Sequence, residues 1–330
     1  MMLSSQTTRN RICRQVMVAV NLTLGEGEEL ARDALTRVGV SPENASCVAA
    51  ALMAAERDGL ASHGLSRLAY YADQAQRGKV LGAAVPQVRV TGAVVAVDAG
   101  HGFAFPAIAA GLEQGQRIAR SQGIAAVGIR RSHHLGVAGH PVEALAEAGL
   151  VGIALGNAPA SIAPWGGTRP MYGTDPIAFA TPRASGPPMV IDLSLSRVAR
   201  GKVMLAQRKG ESIPGDWSLD AQGEPTTDPA AALAGSMLPM GDAKGAALAL
   251  MVEVLAAGLT GANFAYEASS LFDAEGPPPG LGHFFLIIDP AAFDGGAGLT
   301  MRLETLFAEM LKDPGVRLPG TRRLAAREQA

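Results

Sequence analysis

The run Ile124-Ala125-Ala126-Val127-Gly128-Ile129 is the segment that most limits how this chain can fold. A short, unbroken apolar stretch reads as a strand covered on both faces, because a strand with one wet face would alternate polar and apolar residues. The segments on either side, residues 105–122 and 138–148, carry a helical pattern. A covered strand set between two helices requires a layered α/β or α+β architecture, in which a sheet is buried beneath helices.

The remaining segments extend that pattern. Strand-like stretches recur at residues 88–97, 150–155, 189–193 and 284–289. Residues 26–58 read as two helices split at Gly39-Val40-Ser41-Pro42, with Ser41 as N-cap and Pro42 in the first turn. A third helix is predicted over residues 62–77, and others over 198–208, 243–257 and 301–312. Residues 156–183 are dense in Gly and Pro, as in an ordered functional loop or an ordinary connector.

Composition sets outer bounds. The 330 residues are enough for one large domain or two modest ones, and a 48% hydrophobic content supplies a sizeable core. Aromatic residues are 5% against 40 glycines, which favours close backbone packing over an aromatic binding surface. A net charge of −2 gives no basic excess for nucleic acid, and no Lys/Arg tract points to a membrane surface. The apolar stretch 245–258 carries Glu253 and is too short to span a bilayer. Cys13 and Cys47 form no CxxC pair or ligand cluster, which fits the reducing cytoplasm. Residues 1–16 are polar and basic without an apolar signal core, and read as a disordered extension or an upstream start.

Six clusters hold chemistry-bearing residues. In Ser62-His63-Gly64-Leu65-Ser66-Arg67, a helix would place His63 and Arg67 on one face, a proton donor beside a fixed cation. The plainer reading is a capping serine with two surface side chains. Ser132-His133-His134-Leu135-Gly136-Val137-Ala138-Gly139-His140 follows the buried strand. Its spacing matches no zinc motif, so no metal is expected; a glycine-bearing turn at a helix start suits a ligand's phosphates, and a pair of turn histidines is the alternative. Asn157 and Thr174, the latter in Gly173-Thr174-Asp175-Pro176, offer polar contacts in the Gly/Pro-rich stretch. Asp192 ends an apolar strand, where an acid is either held in a hydrogen-bond network or orients a histidine. Asp242-Ala243-Lys244-Gly245 opens a helix without matching a Walker A loop, and Arg317-Leu318-Pro319-Gly320-Thr321-Arg322-Arg323 is either a phosphate grip or a solvated tail. No G-x-G-x-x-G follows a strand, so a dinucleotide would have to bind by other means than a Rossmann turn.

Taken in order, these clusters resemble the malate/L-lactate dehydrogenase family of non-Rossmann NAD(P)-dependent oxidoreductases. The likeness runs from Asp58-Gly59 through Ser62-His63-Gly64, Ala163-Pro164-Trp165-Gly166-Gly167, Ile191-Asp192-Leu193-Ser194 and Gly201-Lys202 to Arg317-Leu318-Pro319-Gly320. The His133-His134 pair and residues 259–273 resemble Δ1-pyrroline-2-carboxylate/Δ1-piperideine-2-carboxylate reductases; malate-type and sulfolactate-type relatives usually carry Asn where His133 stands.

The resemblance implies an α/β fold with a mixed, largely antiparallel sheet. Residues 17–80, joined by 290–330, would form a helical substrate-binding part, and residues 81–289 the NAD(P)-binding domain. It implies a homodimer with the site near the interface, to which the charge and cysteine content add a cytoplasmic location and no nucleic-acid or membrane partner. His63 would donate the proton with Ser62 and Asp192 as relay partners, and Arg67 and Thr174 would hold a small carboxylate. NADPH, or NADH, would lie along His133, His134, Leu135, Gly136 and Val137, with Asp242, Lys244, Arg317, Gly320, Arg322 and Arg323. The expected reaction is reduction of a cyclic imine carboxylate to L-proline or L-pipecolate, with a 2-hydroxy acid dehydrogenase as the alternative and a non-catalytic dinucleotide-binding relative as a third possibility.

Overall fold

The computed structural model describes residues 21–294 and 297–330; the expected extension, residues 1–16, lies outside them. The strands are β1 (Gln87–Thr91), β2 (Val94–Asp98), β3 (Ile124–Ser132), β4 (Val151–Gly156), β5 (Ile177–Thr181), β6 (Met189–Leu193), β7 (Ser218–Leu219), β8 (Ser236–Met237) and β9 (Leu281–Ile288). One sheet of seven runs in the order β1-β2-β3-β9-β4-β5-β6, and β7 pairs with β8 apart from it. In the large sheet β2 and β3 are parallel, and every other neighbouring pair is antiparallel. The mixed, largely antiparallel sheet expected from the resemblance is therefore present.

The helices are α1 (Leu24–Arg37), α2 (Pro42–Arg57), α3 (Leu68–Gln76), α4 (Ala104–Gln122), α5 (Gly139–Glu147), α6 (Arg200–Lys209), α7 (Pro229–Ala234), α8 (Ala243–Val252), α9 (Ala291–Asp294), α10 (Ala297–Met310) and α11 (Thr321–Arg327). The sheet lies between two helical layers. Ala125, Val127 and Ile129 of β3, all fully buried, pack with Ala107 and Leu112 of α4 and Val142 and Leu145 of α5. Two glycines let α4 sit this close: a Cβ on Gly115 would lie 2.6 Å from Ile287 Cδ1, and one on Gly111 2.8 Å from Val127 Cγ1. On the other face Ile153, Ile177 and Phe284 meet Ala249, Val252 and Ala256 of α8 and the π-helical turn Glu253–Gly258 that follows it. The first helices keep a core of their own, with Leu35, Val48, Leu52 and Tyr71 buried against Phe103.

Local sequence explains several boundaries. Ser41 caps α2 by accepting from Asn44 N at 3.3 Å, with Pro42 in the first turn, as its sequence predicts. The strand predicted over 88–97 is instead a hairpin, because Gly92 adopts φ +57° and turns β1 back onto β2. The helix predicted over 62–77 also gives way. Two 3-10 turns, Ala61–His63 and Leu65–Arg67, precede α3 and meet at Gly64. The cause is Glu56: its carboxylate accepts from Leu65 N at 2.6 Å and fills the space where a Gly64 Cβ would stand, 2.1 Å from Oε1. Ser62 is therefore not a helix cap.

Candidate active site

A cleft of about 1320 Å³ opens between the first helices, the loops after β3, β4 and β6, and the C-terminal segment. Its walls hold Ser62, His63, Arg67, His134, Thr174 and Asp192. The turn residues Leu135, Gly136 and Val137 line it as well, as do Arg317, Gly320, Arg322 and Arg323. The fold thus draws together residues from both ends of the chain. Three residues expected along the cofactor stand outside this lining. His133 is 1% exposed and turns into the core, edge-on to Tyr71 and Phe103. The next residue, His134, lines the cleft instead. Asp242 is tied to Arg197 at 2.7 Å, and Lys244 is exposed on α8 beyond the cleft.

Breaking the helix at Gly64 does not separate His63 from Arg67. Arg67 Nε donates to Ser62 O at 2.9 Å across the two turns, which folds the guanidinium back toward the histidine. Phe272, from the stretch 259–273, covers it with its ring centroid 4.7 Å from Cζ. Phe272 is held there by buried Lys79, whose ammonium donates to Asp273 Oδ1 at 2.7 Å and Glu275 O at 2.6 Å. Arg67 Nη1 is shut off from water and has no partner among the described residues.

The His63 ring stacks on His134 with centroids 5.5 Å apart. Ser62 Oγ lies 3.0 Å from His63 Nδ1, and buried Tyr71 places its hydroxyl 2.7 Å from His134 Nδ1. Burial, then the positive charges of Arg67 and His140, depress the His63 pKa to about 4. The same causes, burial first and then Arg67, push His134 well below the ordinary range. Both rings are neutral at pH 7 beside a permanent cation. Asp192 spends its carboxylate on the start of α5, accepting from Gly139 N at 2.7 Å, and enclosure by the cleft walls raises its pKa. The residue paired with His63 Nδ1 is Ser62, not Asp192.

Three further arrangements join residues to partners remote in the sequence. Asn157 lines the cleft and uses its amide within the protein: it donates to Asn263 O and accepts from Gly282 N, both at 2.8 Å. Beneath Thr174, Asp175 is fully buried, takes φ +38°, and meets Glu253 carboxyl to carboxyl. Burial first, then the Glu253 charge, keep Asp175 protonated well above the usual carboxylate range. Glu253 in turn accepts from Ala265 N at 3.0 Å, which ties the π-helical turn to the loop lining the cleft. Finally, α11 docks through charge. Arg323 donates to Glu143 Oε1 at 3.0 Å, and Arg327 reaches Glu143 Oε2 at 2.6 Å as well as Asp58. Arg323 is therefore engaged within the protein, whereas Arg317 and Arg322 form no ion pair among the described residues.

These residues fit a dinucleotide. The cleft exceeds the size of an ordinary small-molecule pocket, and Arg317 and Arg322, which have no counter-ion among the described residues, stand in its wall. The same cleft carries the imidazole pair and the unpartnered Arg67 nitrogen. The arrangement can hold an anionic cofactor beside a small carboxylate and move one proton.

Comparison with known proteins agrees with this geometry. The family model for malate/L-lactate dehydrogenase matches residues 23–330. The chain is 59% identical to a (2R)-3-sulfolactate dehydrogenase (NADP+) of Chromohalobacter salexigens, over 93% of this chain and 92% of the relative. It is 43% identical to a Δ1-pyrroline-2-carboxylate/Δ1-piperideine-2-carboxylate reductase of Pseudomonas aeruginosa, over 94% of each chain. The crystal structure of Δ1-piperideine-2-carboxylate reductase from Pseudomonas syringae superposes with a TM-score of 0.88 at 40% identity, covering 94% of each chain. The chain belongs to the malate/L-lactate dehydrogenase family, whose members are NAD(P)-dependent oxidoreductases.

Proposed function

We propose that this protein transfers hydride between NADP(H) and carbon 2 of a small carboxylate, with 3-sulfolactate and its 2-oxo partner as the leading pair. The reaction class rests on Arg67, whose Nη1 is buried and unpartnered beside two imidazoles. A substrate carboxylate there satisfies the guanidinium and sets carbon 2 against the histidines. The choice of substrate follows the 59% identical relative.

The nicotinamide, when bound, supplies or accepts the hydride. Gly136 and Val137 line its path, and Arg317 and Arg322 suit the phosphates, including the extra phosphate of NADP(H). Arg67 orients the substrate, and Phe272 fixes the plane of its guanidinium. Ser62 on Nδ1 leaves Nε2 of His63 to exchange a proton with the substrate oxygen. The bound carboxylate offsets the Arg67 charge that depresses His63, so substrate binding raises the proton affinity of the donor. Thr174 stands in the same wall as a further substrate contact.

Reduction of a cyclic imine carboxylate is the second reading. The His133-His134 pair favours it, as do the reductase relatives at about 40% identity. We further propose a homodimer in the cytoplasm, where the CxxC-free cysteines fit a reducing environment. Leu248, Met251, Val254 and Leu259 form an exposed apolar face on α8 and the turn after it, suited to a second copy.

The test is a steady-state panel with NADPH and NADH against sulfopyruvate, oxaloacetate, pyruvate and the two cyclic imines. The expected result is fastest turnover of sulfopyruvate with NADPH, and a loss of about 10²–10⁴ in kcat for His63→Ala. Turnover of the cyclic imines alone moves the assignment to the second reading, and no turnover of any compound rejects the class.

A further inference from the structure

A second arginine, Arg200, lines the same cleft as Arg67. Arg200 opens α6 and lies at the end of the cleft that holds Ser62: a Cβ on the next residue, Gly201, would come 4.0 Å from Ser62 Cβ. Arg200 is half-buried, and its polar neighbours are distant: Ser161 Oγ at 3.5 Å from Nη1 and Leu233 O at 3.4 Å from Nη2. Neither is a carboxylate, and Arg200 forms no ion pair among the described residues. Two other part-buried arginines find acids: Arg183 has Glu304 at 2.8 Å, and Arg197 has Asp242 at 2.7 Å. Burial lowers the Arg200 pKa, and no negative neighbour opposes that shift. A cation partly removed from water without a counter-ion is costly to keep, and a bound anion relieves the cost.

Position separates this group from the cofactor cations. Arg317 and Arg322 belong to the C-terminal segment, whereas Arg200 approaches the cleft from α6, beside Ser161 and next to the residue that abuts Ser62. Two half-buried guanidinium groups, Arg67 and Arg200, thus serve the part of the cleft that holds His63.

We infer that Arg200 binds a second anionic group on the substrate, so that the protein selects a dianionic 2-oxo or 2-hydroxy acid whose first carboxylate rests on Arg67. This rests on the oxidoreductase reading given above. A compound with a carboxylate or sulfonate on carbon 3 meets both cations, whereas one whose carbon 3 is a methyl group leaves Arg200 without an anionic partner. A monoanionic cyclic imine carboxylate leaves it without one as well.

The experiment compares malate and its sulfonate analogue with lactate, in the wild type and in Arg200→Gln and Arg200→Lys. Initial rates with NADP+ are paired with calorimetric titration of the NADP+-saturated protein. Expected is a wild-type preference for the dianions that falls roughly 10- to 100-fold in Arg200→Gln, with part of it kept in Arg200→Lys. A structural role would lower both substrate classes alike, so equal losses for dianion and lactate overturn the inference. Wild-type protein that binds lactate as tightly as malate overturns it too. If no 2-hydroxy acid is oxidised, the reaction reading fails, while the titrations still show whether Arg200 selects dianions.

Discussion

His63 is a weak base because of where it stands. Burial is the larger cause and the Arg67 charge the second, with His140 adding to both, and together they bring the pKa to about 4. Removing a nearby positive charge favours the charged imidazolium, so the pKa of His63 rises in Arg67→Met. Because burial remains, it stops short of the ordinary value of about 6.5. Reduction needs the protonated donor, so kcat/KM for reduction falls as pH rises past the free-enzyme pKa, and that limb moves to higher pH in the variant. KM for the carboxylate rises roughly 10- to 100-fold at the same time. An NMR titration of the His63 ring in the unliganded variant reads the shift even if turnover is lost, and an unmoved or lowered pKa contradicts the assignment. The closeness of His63 and Arg67 was legible in their spacing. The stacked His134 and the covering Phe272 were not, since each comes from a distant segment.

At the scale of elements, α11 shows how charge attaches a short helix that has little apolar surface to bury. Asp58 is fully shielded and Glu143 nearly so, and both accept from Arg327, with His140 Nε2 a further 2.9 Å from Asp58. Burial alone would raise the Asp58 pKa, but the bonds from Arg327 and His140 hold it below the usual carboxylate value. Arg327→Ala leaves two acids buried with too little positive charge, at a cost of about 3–5 kcal/mol. The chain can avoid most of that cost by releasing α11 to water. Faster amide exchange over residues 321–327 and an NADPH Kd raised at least tenfold are therefore expected, because Arg317 and Arg322 lie on the same segment. Unchanged exchange in α11 counts against this account. The sequence offered a phosphate grip or a solvated tail for this stretch; the fold makes Arg323 part of the attachment and leaves Arg317 and Arg322 free of ion pairs.

At the scale of the whole molecule, α8 and the turn after it present an uncovered apolar face. Val254 is 52% exposed and Leu259 66%, on the turn that follows α8, while the opposite side of the same element packs on the sheet. A second copy covering this face gives a two-chain mass by light scattering, and Val254→Glu places a charge in the contact and shifts the mass to one chain. A single-chain mass for the wild type rejects the homodimer. The glycine content belongs to this scale too. Gly111 and Gly115 are conspicuous in a helix until α4 is seen lying against Val127 and Ile287.

The sequence by itself determined the buried strand β3, the caps and turns around α2, the bounds of β6 and the ordered motifs that mark the family. Those features depend on periodicity and on chemistry between residues a few positions apart. The tertiary structure decided the rest. Glu56 interrupts the helix at Gly64, Asp192 is drawn to Gly139, and the loop after β3 buries His133 against Tyr71 and Phe103 while His134 lines the cleft. It also set Arg200 and Arg67 in one cleft and left both short of partners. Each of these outcomes depends on which remote group fills a given space or meets a given charge, and local spacing carries no record of that.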